Sequence, residues 1–238
     1  MKTALITGGT RGIGRAMVEL FCERGYLVAF TYKNSIELAN ELAVKTGALA
    51  IRADAESESD IIYAVNTALG QLGHIDCLIN NAGVAAFSLF TDTSLAEWQR
   101  IFTINLNSAF VYSRETAKYM ISNHFGRIIN IGSMWGITGS SCEVAYSSSK
   151  AALHGMTKAL AKELGPSGIA VNAIAPGLID TDMNAALSPD VISEIIEETP
   201  LMRVGTPRDV ASLAYFLASD EASFITGEVI SVNGGYLI

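Results

Sequence analysis

Tyr146 and Lys150 stand four residues apart in the run AYSSSK. In a helix both side chains leave the same face. A tyrosine with a pKa of about 10 is a poor acid–base group at neutral pH unless its anion is stabilised. A nearby ammonium gives that stabilisation. Ser133 sits in a polar, glycine-rich segment (IGSMWG) after an apolar run, and Asn105 lies inside a long helical stretch, where asparagine is a poor helix former. Reducing a ketone needs a hydride donor, a proton donor and a stabiliser of the developing oxyanion. These four side chains offer the last two. Each has a plainer reading: Tyr–Lys pairs at this spacing decorate many helix surfaces, and Ser133 suits a turn.

The hydride donor has its own signal. The first apolar run enters Thr7-Gly8-Gly9-Thr10-Arg11-Gly12-Ile13-Gly14, and a helical pattern follows at once. Glycines at a strand-to-helix turn let backbone approach a pyrophosphate, which the helix N-terminus then faces. The spacing is GxxxGxG rather than GxGxxG. Gly8, Thr10, Arg11, Gly12, Ile13 and Gly14 are the candidate contacts. An acidic residue about 20 positions further on would hold a ribose 2′-hydroxyl. That place reads Thr31-Tyr32-Lys33-Asn34, with no carboxylate until Glu37. Lys33 and Arg11 suit a 2′-phosphate instead, so NADP(H) is the expected cofactor. Asp54 ends the third strand, near an adenine or as part of a helix cap. Asn81, Ala82 and Gly83 end the fourth, where ligands of open α/β sheets bind.

The elements needed to position these groups follow one alternation. Strands are expected at Lys2–Thr7, Leu27–Tyr32, Ala48–Ala53, Asp76–Asn80, Arg127–Ile131, Ala170–Ala175 and Glu228–Val232. Helices are expected at Ile13–Arg24, Ser35–Thr46, Ser57–Leu72, Leu95–Asn123, Tyr146–Leu164 and Pro207–Ser219. Continuously apolar strands are buried on both faces, as in a parallel sheet covered by helices. The pattern is that of a doubly wound α/β protein with one domain over residues 1–238. It fails only between Thr181 and Met202, which reads as a lid over the site.

Composition removes other classes. Half of the 238 residues are apolar, and the net charge is −8. A disordered chain and a generic nucleic-acid binder are excluded by this balance. Cys22, Cys77 and Cys142 form no CxxC pair, and His74, His124 and His154 are scattered. Neither a disulfide framework nor a metal site is expected. No apolar run reaches the ~18 residues of a membrane span. A cytoplasmic protein without nucleic-acid or membrane partners is the expectation.

The ordered set resembles the classical short-chain dehydrogenases/reductases over essentially the whole chain: Thr7-Gly8 with Gly12 and Gly14, Asn80-Asn81-Ala82-Gly83, Asn105, Ser133, Tyr146 with Lys150, and Pro176-Gly177. The resemblance implies a seven-stranded Rossmann fold. It makes Tyr146 the general acid, and has Lys150 bind the nicotinamide ribose and lower the tyrosine pKa. Ser133 would bind the substrate carbonyl and Asn105 a water of the proton relay. Pro176, Gly177, Ile179 and Thr181 would flank the nicotinamide and its phosphate. A homotetramer is implied too, built by the Asn105 helix, the Tyr146 helix and the C-terminal segment.

Within the family, TGGTRGIGRA, IGS, VNAIAPGLIDTDM and FLASDEASFITGE resemble bacterial 3-oxoacyl-[acyl-carrier-protein] reductases. A 3-oxoacyl thioester is therefore the first expected substrate. Such enzymes present basic side chains to an acidic carrier, yet Ser122–Phe125 and Gly165–Gly168 hold no Lys or Arg; Arg127 and Lys118 are the substitutes at hand. The run WGITGSSCEVAYS also resembles elongation factor P 5-aminopentanone reductases, which reduce a protein-bound ketone carrying an amine. Trp135 and Glu143 are the candidate substrate contacts, with Glu143 placed to attract a cation or to serve as a plain loop carboxylate. A non-catalytic dinucleotide sensor would keep the fold and lose Tyr146, Lys150 or Ser133; all are present.

Overall fold

The structure is a computed structural model and describes residues 1–184 and 187–238. Ala185 and Ala186, within the expected lid, lie outside the described residues. Seven parallel strands form one sheet in the order β3-β2-β1-β4-β5-β6-β7. They are β1 (Thr3–Ile6), β2 (Leu27–Tyr32), β3 (Leu49–Arg52), β4 (Cys77–Asn80), β5 (Gly126–Ile131), β6 (Ile169–Pro176) and β7 (Val229–Val232). All seven fall where the apolar runs predict them.

Alternation along each strand divides the core between two faces. In β1, Ala4 and Ile6 join Met17, Phe21, Phe30 and Val210 under α1 (Gly12–Glu23), α2 (Ile36–Thr46) and α9 (Pro207–Ala218). Leu5, between them, joins Ile61, Leu78, Tyr112 and Val171 under α3 (Glu58–Leu72), α5 (Ser108–Asn123) and α7 (Val144–Leu164). Helix ends follow local chemistry. Gly47 takes φ +75° after α2, a left-handed stop that costs glycine little. Ser57 accepts from Asp60 N at the start of α3, and Thr206 and Asp209 form a reciprocal cap on α9.

The expected long helix at Leu95–Asn123 is interrupted. α4 (Leu95–Phe102) passes into a π-helical turn, Thr103–Asn107, before α5. Such turns often mark functional sites, and this one contains Asn105. α6 (Trp135–Thr138) is a single turn after β5, and α7 starts two residues before Tyr146. The segment from Thr181 to Met202 carries a short 3₁₀ turn at Asp182–Asn184 and α8 (Pro189–Glu198), none of whose side chains is fully buried. Among the described residues, no helix is long and apolar enough to cross a membrane.

Candidate active site

Strand order reverses between β1 and β4, which opens a crevice at the carboxyl ends of the strands. Thr7 builds its floor: its Oγ1 accepts from the N–H groups of Asn81 and Ala82, each at 2.9 Å. The Asn81 side-chain amide donates to the carbonyls of Thr7 (2.8 Å) and Gly8 (3.1 Å). Asn81 therefore spends its side-chain donors on fixing the glycine turn. Gly14 is required by close approach, since a Cβ there would stand 2.1 Å from the Gly8 carbonyl oxygen. Gly12 has φ +50°, and a Cβ on it would lie 3.1 Å from Thr181. No side chain caps α1. Its first N–H groups face the cradle, as a pyrophosphate needs. Thr10 is buried in the turn, and Ile13 is half-buried against the core.

The two expected phosphate cations differ. Arg11 is exposed and its Nη2 donates to Ser35 at 3.0 Å. Lys33 is held by Asp54 (2.8 Å) and Glu56 (2.7 Å). Asp54 pairs with Lys33 and accepts from Glu56 N at 3.0 Å, so Ser57, not Asp54, is the helix cap. Arg11 is thus the cation of the two that no carboxylate holds.

The groups with chemistry converge at the other side of the crevice. α7 places Tyr146 and Lys150 on one face, with Lys150 Nζ 5.7 Å from the Tyr146 ring centre. Lys150 is 4% exposed and donates to the Ile131 carbonyl at 2.8 Å. Burial pushes its ammonium down to about 8. Burial also pushes the Tyr146 hydroxyl up to about 12; Ser133 opposes this by hydrogen bonding, and the Glu143 charge adds to it. Tyr146 is therefore protonated at neutral pH, the state a proton donor needs. Asn105 is buried and braces the mouth. Its Oδ1 accepts from Val84 N (2.8 Å), and its Nδ2 donates to Val84 O (2.9 Å) and Ser149 Oγ (3.0 Å). With both amide hydrogens committed, its side chain keeps one acceptor lone pair. A Cβ on Gly83 would lie 3.3 Å from Asn105 Oδ1 and 3.4 Å from Lys150 Nζ; the end of β4, the π-helical turn and α7 meet there.

A family model described as enoyl-(acyl carrier protein) reductase matches residues 8–237. The chain is 43% identical to the 3-oxoacyl-[acyl-carrier-protein] reductase FabG of Aquifex aeolicus, over 98% of this chain and 96% of that one. A solved short-chain dehydrogenase/reductase variant from Serratia marcescens superposes with a TM-score of 0.93 at 35% identity, over 99% of this chain and 97% of that one. The chain belongs to the short-chain dehydrogenase/reductase family. It is an oxidoreductase acting on CH–OH groups, in a family that uses a nicotinamide dinucleotide. An uncharacterised oxidoreductase of Bacillus subtilis, YmfI, is 39% identical over 99% of this chain and 98% of its own.

The remaining expected residues of this short-chain dehydrogenase/reductase distribute around the crevice. Pro176 ends β6, and Gly177, Ile179 and Thr181 follow it at the carboxyl end of the strand. The Pro176 carbonyl accepts from Met134 N at 2.9 Å, fixing the Ser133 arm. The Ile179 side chain enters the core, and its carbonyl accepts from the Asn184 side-chain amide at 2.7 Å. Trp135 packs edge-on against Tyr236, ring centres 6.0 Å apart. Glu143 is half-buried just before α7; burial raises its carboxyl, and Ser140 opposes this. No cation pairs with Glu143 among the described residues. Its neighbour Cys142 has φ +61° and accepts from Ser88 N at 2.8 Å, so strained backbone holds this loop against the segment after β4.

Ser122–Phe125 and Gly165–Gly168 lie elsewhere. They precede β5 and β6, and a Cβ on Gly168 would touch the His124 carbonyl at 2.4 Å. They lie at the amino ends of the strands, opposite this chain's own site. Arg127 is buried there on the Gly126 carbonyl and the Phe125 ring, and Lys118 pairs with Glu115. Neither substitutes for basic residues at the mouth. Ser149 and the Ile131 carbonyl, which hold Asn105 and Lys150, carry no signal in the sequence, whereas Thr7 stands in the first motif.

Proposed function

We propose that the chain reduces a ketone to a secondary alcohol with NADPH, Tyr146 giving the proton. A bound nicotinamide dinucleotide supplies the hydride to the carbonyl carbon. Ser133 donates a hydrogen bond to the carbonyl oxygen, and the Tyr146 hydroxyl protonates that oxygen as charge develops. Lys150, anchored on Ile131, places a cation beside the tyrosinate left behind and holds the nicotinamide ribose. Asn105 fixes the mouth and, through its free lone pair, orders a water that returns the proton. The convergence of Tyr146, Ser133 and buried Lys150 carries this reading. NADPH is favoured by the open Arg11 beside Ser35 and by the lack of a carboxylate at the end of β2.

Glu143 decides the kind of ketone. A half-buried carboxylate without a cation partner is costly. An ammonium on the substrate would relieve that cost, and a neutral thioester would not. The geometry therefore favours a ketone bearing an amine, of the aminopentanone type. The relatives named FabG support the other reading, a 3-oxoacyl thioester on an acyl carrier. Turnover of an amino ketone and of an acetoacetyl thioester by wild type and Glu143→Gln separates them. An ammonium role predicts that Glu143→Gln lowers the amino ketone's kcat/KM about tenfold relative to the thioester's. An unchanged ratio, with fast thioester turnover, would leave the 3-oxoacyl reading.

Two further features belong to this reading. The described residues of the segment from Thr181 to Met202, 181–184 and 187–202, act as a lid over the nicotinamide end. Its base is tied by Asp180 N to Gly205 O (2.8 Å) and Leu201 N to Gly234 O (3.1 Å). A homotetramer is in keeping with the exposed Phe110 and Tyr119 on α5, and with Phe224 and Ile238 near the C-terminus; the proposed compartment is the cytoplasm.

A further inference from the structure

Among the buried titratable side chains that the mechanism leaves unused, His154 lies nearest the catalytic lysine in the chain. His154 follows Lys150 by one turn of α7 and is 6% exposed. Its ring fills the space between two glycines. A Cβ on Gly132 would sit 2.1 Å from Nε2, and one on Gly136 would sit 2.8 Å from Cε1. These glycines bracket the arm that carries Ser133. The arm begins just after Ile131, whose carbonyl accepts from Lys150. Outside the imidazole, the arm is held by Gly132 N to Ile174 O (2.7 Å) and Met134 N to Pro176 O (2.9 Å), both to β6. On the α6 side the ring lies against Gly136, whose backbone favours its proton. Its Nε2 has no partner.

We propose that His154 is a positioning residue for the reduction: its neutral imidazole, wedged beneath the Gly132–Gly136 arm, sets Ser133 against Tyr146 and holds the Ile131 carbonyl on Lys150. The inference rests on the ketone-reduction reading. The flat ring fills a slot against two glycines; a branched side chain of the same volume does not fit that slot, and packed interiors adjust only partly to a change of shape, whereas a planar amide does fit. Misplacing a reacting group by a fraction of an ångström lowers the chemical step more than binding. The ring's surroundings keep it neutral. Burial is the largest influence, followed by Lys150; Lys158 one turn further on adds to it, and only the Gly136 backbone favours the cation. A protonated ring would put a second cation one turn from Lys150.

The test uses two variants, with Tyr146→Phe measured beside them. His154→Leu keeps apolar bulk and removes the N–H. His154→Asn keeps an N–H near the Gly136 backbone. The expected result is a loss of about tenfold in kcat for His154→Leu, with the KM for NADPH within about twofold, and recovery to within about threefold of wild type in His154→Asn. A merely structural role would lower the Tm of both variants and leave kcat alone. A kcat for His154→Leu within twofold of wild type overturns the proposal. Where His154→Leu does not fold, ¹⁵N imidazole spectra of the wild type decide: a neutral tautomer at pH 6 is expected, and an imidazolium there overturns it. A fully active Tyr146→Phe would sink the ketone-reduction reading; an inactive one beside an unaffected His154→Leu sinks this inference alone.

Discussion

Lys150→Met should make the protein more stable while removing its activity. Lys150 is 4% exposed, and burial pushes its pKa from 10.5 down to about 8. Each tenfold change in acidity corresponds to ~1.4 kcal/mol, so holding the ammonium in the fold costs about 3 kcal/mol. Methionine keeps the apolar stem and removes the charge. It also leaves the Ile131 carbonyl without its donor, a loss of about 1 kcal/mol. The net gain is about 2 kcal/mol. For 238 residues, an unfolding entropy of ~2.1 cal/mol/K per residue converts this to about 4 °C in Tm. The pH dependence has a definite sign. Below pH 8 both folded and unfolded chains hold the proton, and the wild type bears the whole cost. Between about 8 and 10.5 the folded chain releases the proton first, so the cost fades as pH rises. Differential scanning calorimetry from pH 6.5 to 10.5 should show the variant's advantage shrinking to zero at about pH 10 and reversing slightly above it, where only the lost hydrogen bond remains. A variant less stable than wild type at pH 7, or an advantage that does not vary with pH, would refute the reasoning.

Three other outcomes are expected. Arg11→Ala should weaken NADPH about tenfold and NADH less than twofold, since a charge-assisted hydrogen bond contributes ~1.5–3 kcal/mol; Glu56→Gln, which loosens the grip on Lys33, should tighten NADPH. Equal effects on both cofactors, by fluorescence titration, would remove the 2′-phosphate from this corner. Gly14→Ala should abolish dinucleotide binding and lower Tm, because its methyl would meet the Gly8 carbonyl at 2.1 Å; retained binding by calorimetry would show that the turn gives way.

The sequence carried the sheet well because burial on both faces leaves a simple mark. Ala4, Leu5 and Ile6 are all apolar although they serve opposite faces, and only a doubly covered strand needs that. Helix ends are less legible: the sequence offers Asp54 for the start of α3, where Ser57 is the cap. The chemistry of Tyr146 and Lys150 was legible because four residues is one helical turn. Tertiary pairing was not. Lys33 reads as a free cation until Asp54 and Glu56 from the next connection close on it. Ser122–Phe125 and Gly165–Gly168 read as part of the mouth until the parallel strands carry them to the opposite end. Asn105 is out of place in an α-helix, but no spacing announces the π-helical turn that contains it. His154 looked like one of three scattered histidines; its meaning depends on Gly132 and Gly136, which the fold brings against it.

The central claim is that Tyr146 gives a proton to a ketone oxygen while NADPH is oxidised. Its most direct test compares wild type with Tyr146→Phe in single-turnover NADPH oxidation, with the better of the amino ketone and the acetoacetyl thioester at saturation. General acid catalysis contributes roughly 10²–10⁴-fold. The account predicts a loss in that range, with the NADPH Kd within about twofold of wild type. A Tyr146→Phe protein that oxidises NADPH at the wild-type rate would contradict it.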